Sequence, residues 1–270
     1  MKANHSTIIR FWFASLFFTT CGWSASSNIS VFTATGRGYR TPEKSVLMEK
    51  PITYAISFAK ASELSSDEQI STAAFATALA ETLVKNLSLQ GFELATEAEE
   101  AEQLLIVHAG TTQVPSNLVN RSALQYLDLG SRSLGSIPGF QYFDREENQL
   151  WVHNMRILGY SDAYEAQSVL NGMTFQQLNR QDLANDLRRP RNYLVVSAYD
   201  FKAMQTQKKP PLLWRTHISL EAGSTPFARQ VETLVSSASK HFGRRTPRLI
   251  RRFNTEVHIG PIEVVEEDSP

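Results

Sequence analysis

The sequence predicts an α/β (α+β) fold: a mixed, largely antiparallel sheet of about five or six strands, two long helices on one face, and a helical insertion. Three observations carry that expectation. Two apolar runs, 193–199 and 212–220, flank a polar connection of about ten residues, long for a hairpin loop and too short for a crossover helix, so the two strands pair antiparallel. Directly after them Phe227, Val231, Leu234, Val235, Ala238 and Phe242 recur every three or four residues, the stripe of a helix that must be buried against a neighbour. Earlier in the chain an alternating strand leads into a second striped helix and then into another continuous apolar strand.

In the run 193–199 apolar, aromatic and β-branched residues are nearly continuous, as in a strand covered on both faces, which makes it central. In 212–220, Leu212, Trp214, Ile218 and Leu220 share one parity while Arg215, His217 and Ser219 share the other. That pattern predicts one packed face and one wet face. Pro210 and Pro211 fall at the strand's start, where a missing N–H is tolerated. Thr225 is placed to cap a helix whose first position is Pro226 and whose stop is Gly243.

From the N-terminus, Lys2 and Arg10 precede an apolar run at 11–18, too short to span a bilayer and followed by small polar residues. This is the pattern of a secretory signal peptide over 1–25, with cleavage expected between Thr20 and Ser26. Cys21 sits where a lipoprotein cysteine would, but Thr20 suits that cleavage poorly, so lipidation and ordinary cleavage both stand as readings. A short strand follows at 29–34, then a turn at Gly36-Arg37-Gly38, which lacks the third glycine of a phosphate loop. Ile52, Tyr54, Ile56 and Phe58 alternate as in a half-buried strand. Ser65 and Ser66, with Glu68 and Gln69 three residues on, form a capping box for a helix carrying Phe75, Leu79, Leu83 and Leu87 and closed by Gly91. The glutamates of 96–103 read as a solvated turn before the apolar strand 104–109.

Residues 111–189 read as the insertion, which leaves 26–110 and 190–265 to build one α/β domain. Its glycine-rich stretch 130–139 lacks the lysine a phosphate loop requires. Trp151, Met155 and Leu158 mark a helix over 145–158 stopped by Gly159; Ser161 opens a second, and Thr174 with Gln177 caps a third that ends at Pro190. Val257, Ile259, Ile262 and Val264 suit a last edge strand.

Chemistry is sparse. The formal net charge of +0 excludes the global basic excess of nucleic-acid binders, and one cysteine excludes an intramolecular disulfide or a cysteine metal site. His5, His108, His153, His217, His241 and His258 are scattered singly, with no partner at metal spacing, and His108 reads as a structural histidine. No nucleophile elbow, zinc-protease motif, phosphate loop or cofactor signature occurs, so no catalytic residue is assigned. Arg244, Arg245, Arg248, Arg251 and Arg252 make five arginines in nine positions. They suit the phosphates of an anionic lipid or envelope polymer, since guanidinium forks bind phosphate bidentately, or else form a surface turn paired with Glu266, Glu267 and Asp268.

The order of strand, capped helix, acidic turn, strand, insertion, strand, strand with Leu213-Trp214-Arg215 and closing helix resembles a bacterial exported domain family of unknown function, often labelled putative lipoprotein. The resemblance spans about residues 52–243. It implies an envelope protein, associated with lipid, polymer or other envelope proteins, and it brings no activity with it. The expected function is therefore a non-catalytic, exported, envelope-associated binding or assembly factor. The alternative is a periplasmic enzyme with its site between the sheet and the insertion.

Overall fold

The computed structural model describes residues 27–59, 73–114, 145–168, 183, 185–207 and 210–254. Cys21 and the expected leader, the capping serines Ser65 and Ser66, the glycine stretch 130–139, Thr174 and Gln177, and the strand expected within 257–265 lie outside them.

Seven strands form one sheet among the described residues: β1 (Ser27–Thr35), β2 (Ile52–Phe58), β3 (Phe92–Leu94), β4 (Gln103–Thr111), β5 (Arg191–Asp200), β6 (Leu212–Glu221) and β7 (Ile250–Asn254). Their order is β3-β2-β4-β5-β6-β1-β7. Strand β2 runs parallel to β3 and β4, and every other pairing is antiparallel. The mixed, mostly antiparallel sheet is the class the pattern predicts. The two strands that the pattern did not place are β3, three residues long, and β7, whose arginines mask it. Central placement of β5 follows from its composition: its first eight residues are all buried, and it stands fourth of seven.

The first face of the sheet carries the larger core. Leu105 and Val107 of β4, Leu194, Val196 and Ala198 of β5, Trp214, Ile218 and Leu220 of β6, and Ile29 and Val31 of β1 belong to it. Two helices cover this face, α2 (Ala73–Ser88) with Phe75, Leu79, Leu83 and Leu87, and α6 (Phe227–Ala238) with Phe227, Val231, Leu234 and Val235. They meet each other through Phe75 and Phe227, ring centroids 5.4 Å apart. Trp214 is fully buried between the rings of Phe92 and Phe242, each 6.1 Å away, and its indole N–H donates to Gln103 Oε1 at 3.1 Å. Gly91 and Gly243 stand at the expected helix stops with positive φ. The start of α6 differs from expectation: Pro226 is the cap residue, and no side chain caps the helix.

Two further helices are short. One, α1 (Lys44–Glu49), precedes β2 and buries Leu47. The other, α5 (Phe201–Thr206), lies in the connection between β5 and β6, which pair antiparallel as expected. Asp200 accepts from the Ala203 N–H at 2.9 Å and so caps one turn and a half within a connection too short for a crossover.

The second face overturns the wet-face expectation for β6. Helices α3 (Arg145–Ile157) and α4 (Tyr160–Ser168) accompany a second cluster in which Trp151, Met155, Leu158 and Tyr160 pack with Tyr193 and Val195 of β5. His217 and Ser219, the polar parity of β6, are 3% and 1% exposed. Alternation reports two unlike faces, and here the second is a polar interior in place of solvent.

Candidate functional site

Cross-strand register assembles the site. On the second face His108 of β4 pairs with Val195 of β5, which pairs with His217 of β6. Two residues further along each strand, Ile106, Ser197 and Arg215 make the next row on this face. Above these rows helix α3 offers His153 and Arg156, three residues apart and so on one side of the helix. Between helix and sheet lies a cavity of about 440 Å³, lined by His108, His153, Arg156 and Arg215 together with Ile157, Val195, Tyr193 and Tyr199. Ala109, Ser197 and His217 are the other described residues of its wall, and none of the described lining residues is acidic.

Arg215 is fixed in place. Its Nε donates to Ser197 Oγ at 2.9 Å and its Nη2 to the Tyr199 hydroxyl at 3.4 Å, so a half-buried guanidinium is held on the cavity wall. Arg156 stands exposed on α3. Burial, and then the neighbouring charge of Arg215, holds the His108 imidazole below its ordinary range; burial and Arg156 do the same to His153. Both rings are therefore neutral near pH 7, and the arginines supply the cavity's positive charge.

His217 forms the deepest part of the wall. The Ile157 carbonyl, 2.8 Å from its Nδ1, can only accept, which makes Nδ1 the donor and leaves Nε2 unprotonated. Burial, with a smaller contribution from Arg215, pushes the imidazole down to about 4 against that bond and the charge of Asp162. Gly159 explains how α3 approaches so closely. Its φ is +72°, and a β-carbon there would stand 2.6 Å from the His217 ring. Across the cavity Tyr193 lies over Gly110, where a β-carbon would come within 2.4 Å of the phenol oxygen.

Beside the cavity a buried charged network ties the helical layer to the sheet. Asp186 takes the Tyr160 hydroxyl at 2.9 Å, Arg191 Nη1 at 3.2 Å and an ion pair with Arg251 at 2.9 Å. Arg191, 1% exposed, also reaches Ser219 Oγ, Ser30 Oγ and the Asn28 carbonyl.

The arginines singled out in the sequence occupy different surroundings. Arg251 and Arg252 are successive residues of β7 and so point to opposite faces, Arg251 to Asp186 and Arg252 toward His241, whose imidazole burial, Lys240 and Arg252 together hold down to about 4. Arg245 and Arg248 are exposed and Arg244 is half-buried. The cavity groups His153, Arg156 and Arg215 were not singled out by sequence. The spacing of His153 and Arg156 was legible on the predicted helix, but their meeting with Arg215 depends on which sheet face that helix covers.

Three histidines reach the cavity wall, yet among the described residues no three His, Cys, Asp or Glu side chains form a group able to hold a metal ion. Among the same residues no helix is long and apolar enough to cross a membrane.

No protein-family model matches the chain, and no match was found among curated proteins. Three solved structures are similar at low identity. A PDZ domain protein from Parabacteroides distasonis shares 11% identity at a TM-score of 0.38, over 84% of this chain and 39% of that one. The PelC dodecamer from Paraburkholderia phytofirmans gives 7% and 0.32, over 81% and 99% of the two chains. A DUF4136 family protein from Bacteroides thetaiotaomicron gives 12% and 0.35, over 80% and 96%. The chain thus spans about two fifths of the PDZ protein, and at these scores none of the three likenesses carries an argument about its role.

Proposed function

We propose that this chain is an exported, envelope-associated, non-catalytic binding protein whose ligand site is the cavity between helix α3 and the second face of the sheet. The cavity itself is the observation that supports binding. At about 440 Å³ it has the size of a small-molecule site, and its wall combines three histidines, two arginines and Ser197 with the apolar surface of Ile157, Val195, Tyr193 and Tyr199. An enzyme reading needs a helical-layer carboxylate hydrogen-bonded to His108 or His217; Asp162 acts on His217 through its charge, and the ring's hydrogen bond goes to the Ile157 carbonyl instead. Export is supported by the basic flank, short apolar run and small residues at 1–25, and Cys21 would anchor the chain if acylated.

The binding claim is tested with N-phenyl-1-naphthylamine, a neutral dye small enough for the cavity. Saturable binding of one dye per chain is expected, and His153→Trp, which puts a larger ring into the cavity, should abolish it without lowering the melting temperature. No saturable binding of this dye or of its sulfonated analogue would end the reading.

A further inference from the structure

Resting on that cavity reading, we propose that the ligand is an amphipathic organic anion: an apolar or aromatic body bearing one oxyanion head group that Arg156 and Arg215 receive. The two guanidiniums come from opposite walls, carry charge, and meet no carboxylate among the described lining residues. Arg215 is already oriented by Ser197 and Tyr199, so little side-chain entropy is lost when it engages an oxyanion. Val195, Ile157 and the rings of Tyr193 and Tyr199 supply the apolar remainder of the wall. A small inorganic anion would leave that surface and most of the volume unused.

Binding of such an anion takes up protons. His108 lies in the row of the sheet next to that of Arg215, and His153 stands three residues from Arg156 on α3, while the other titratable groups among the described lining residues are Tyr193, Tyr199 and the buried His217. Burial is the larger cause holding both imidazoles down and the arginine charge the second; an anion between the arginines offsets that second cause and so raises their proton affinity. By linkage the anion binds more tightly as pH falls.

The experiment compares 8-anilino-1-naphthalenesulfonate with N-phenyl-1-naphthylamine, which share one body and differ by the sulfonate. The sulfonate should bind about tenfold more tightly at low salt, as a charge-assisted pair in a partly dry site allows. Arg215→Met and Arg156→Gln should each remove most of that advantage while leaving the neutral dye bound. Arg156 is exposed, so its variant is expected to fold even if Arg215→Met does not. The sulfonate stays ionised throughout, so tightening between pH 8 and pH 6 that vanishes in a His108→Asn, His153→Asn variant reports the histidines. Equal affinity for the two dyes would overturn the anion proposal and leave the cavity reading standing; binding of neither overturns both. Sulfonate binding indifferent to both arginines, or a flat pH profile, also overturns the proposal.

Discussion

His217 shows how a single residue changes meaning with its surroundings. In the sequence it is one polar residue on the wet parity of a strand; in the fold it is a neutral imidazole, buried, bonded through Nδ1 to Ile157 and pressed by Gly159. Its folded-state proton affinity lies below the unfolded value, so the unfolded chain binds the proton more readily. Stability is full above about pH 6.5 and declines toward the folded value of about 4, by roughly 3 kcal/mol at the lower end. Urea unfolding at pH 7.5, 6 and 5 should show that decline, and His217→Gln, which keeps a donor for Ile157, should flatten its slope. A variant with the wild-type slope would place the effect on another group. Gly159→Ala should cost more than the usual 1 kcal/mol or so of a left-handed glycine, because the added carbon also meets the imidazole.

At the scale of elements, the sheet is a partition between two unlike interiors. Trp214 belongs to the apolar side and Arg215 to the polar one. Trp214→Ala should cost about 3–5 kcal/mol as a large-to-small change in a packed core. Arg215→Met should cost roughly 1–2 kcal/mol, because it leaves Ser197 and Tyr199 without a charged donor on a covered face. On a wet face the change would lie within about 0.5 kcal/mol, so thermal or chemical unfolding of the two variants reads the covering directly. The helical layer is held by charge as well as by packing. Asp186→Asn removes the shared partner of buried Arg191 and of Arg251, and should cost about 3–5 kcal/mol by equilibrium unfolding. A loss below about 1 kcal/mol would show that Trp151, Met155 and Leu158 hold the layer without it.

For the whole molecule, export predicts a mature N-terminus between Thr20 and Ser26, read by mass spectrometry of the fractionated protein. Full-length chain in the cytosol would refute it. If Cys21 is acylated, Cys21→Ala should release the protein from the membrane fraction. The arginine segment sets a separate expectation. Arg251 is taken by Asp186 and Arg252 lies toward His241, which leaves Arg244, Arg245 and Arg248 as the members for an anionic surface. Each would contribute about 1 kcal/mol at low salt, and sedimentation with anionic vesicles should fall steeply as salt screens it. Vesicle binding that persists at high salt, or in a triple glutamine variant, would assign adhesion elsewhere.

By itself the sequence determined the fold class, the central position of 193–199, the two striped helices and their glycine stops, because period and chain direction are local properties of a polymer with apolar and polar residues. It could not determine what covers the polar parity of β6. A period of two distinguishes faces without saying whether the second meets water or a polar interior, and Arg215, His217 and Ser219 suit either. The same limit hid β3, too short to show a period, and β7, whose polar arginines obscure a strand pairing with β1. Only the tertiary structure decided that His108, His153, Arg156 and Arg215 share one cavity. Those residues lie on three elements separated by up to about a hundred positions, and register across β4, β5 and β6, with the docking of α3 above them, is what brings them together.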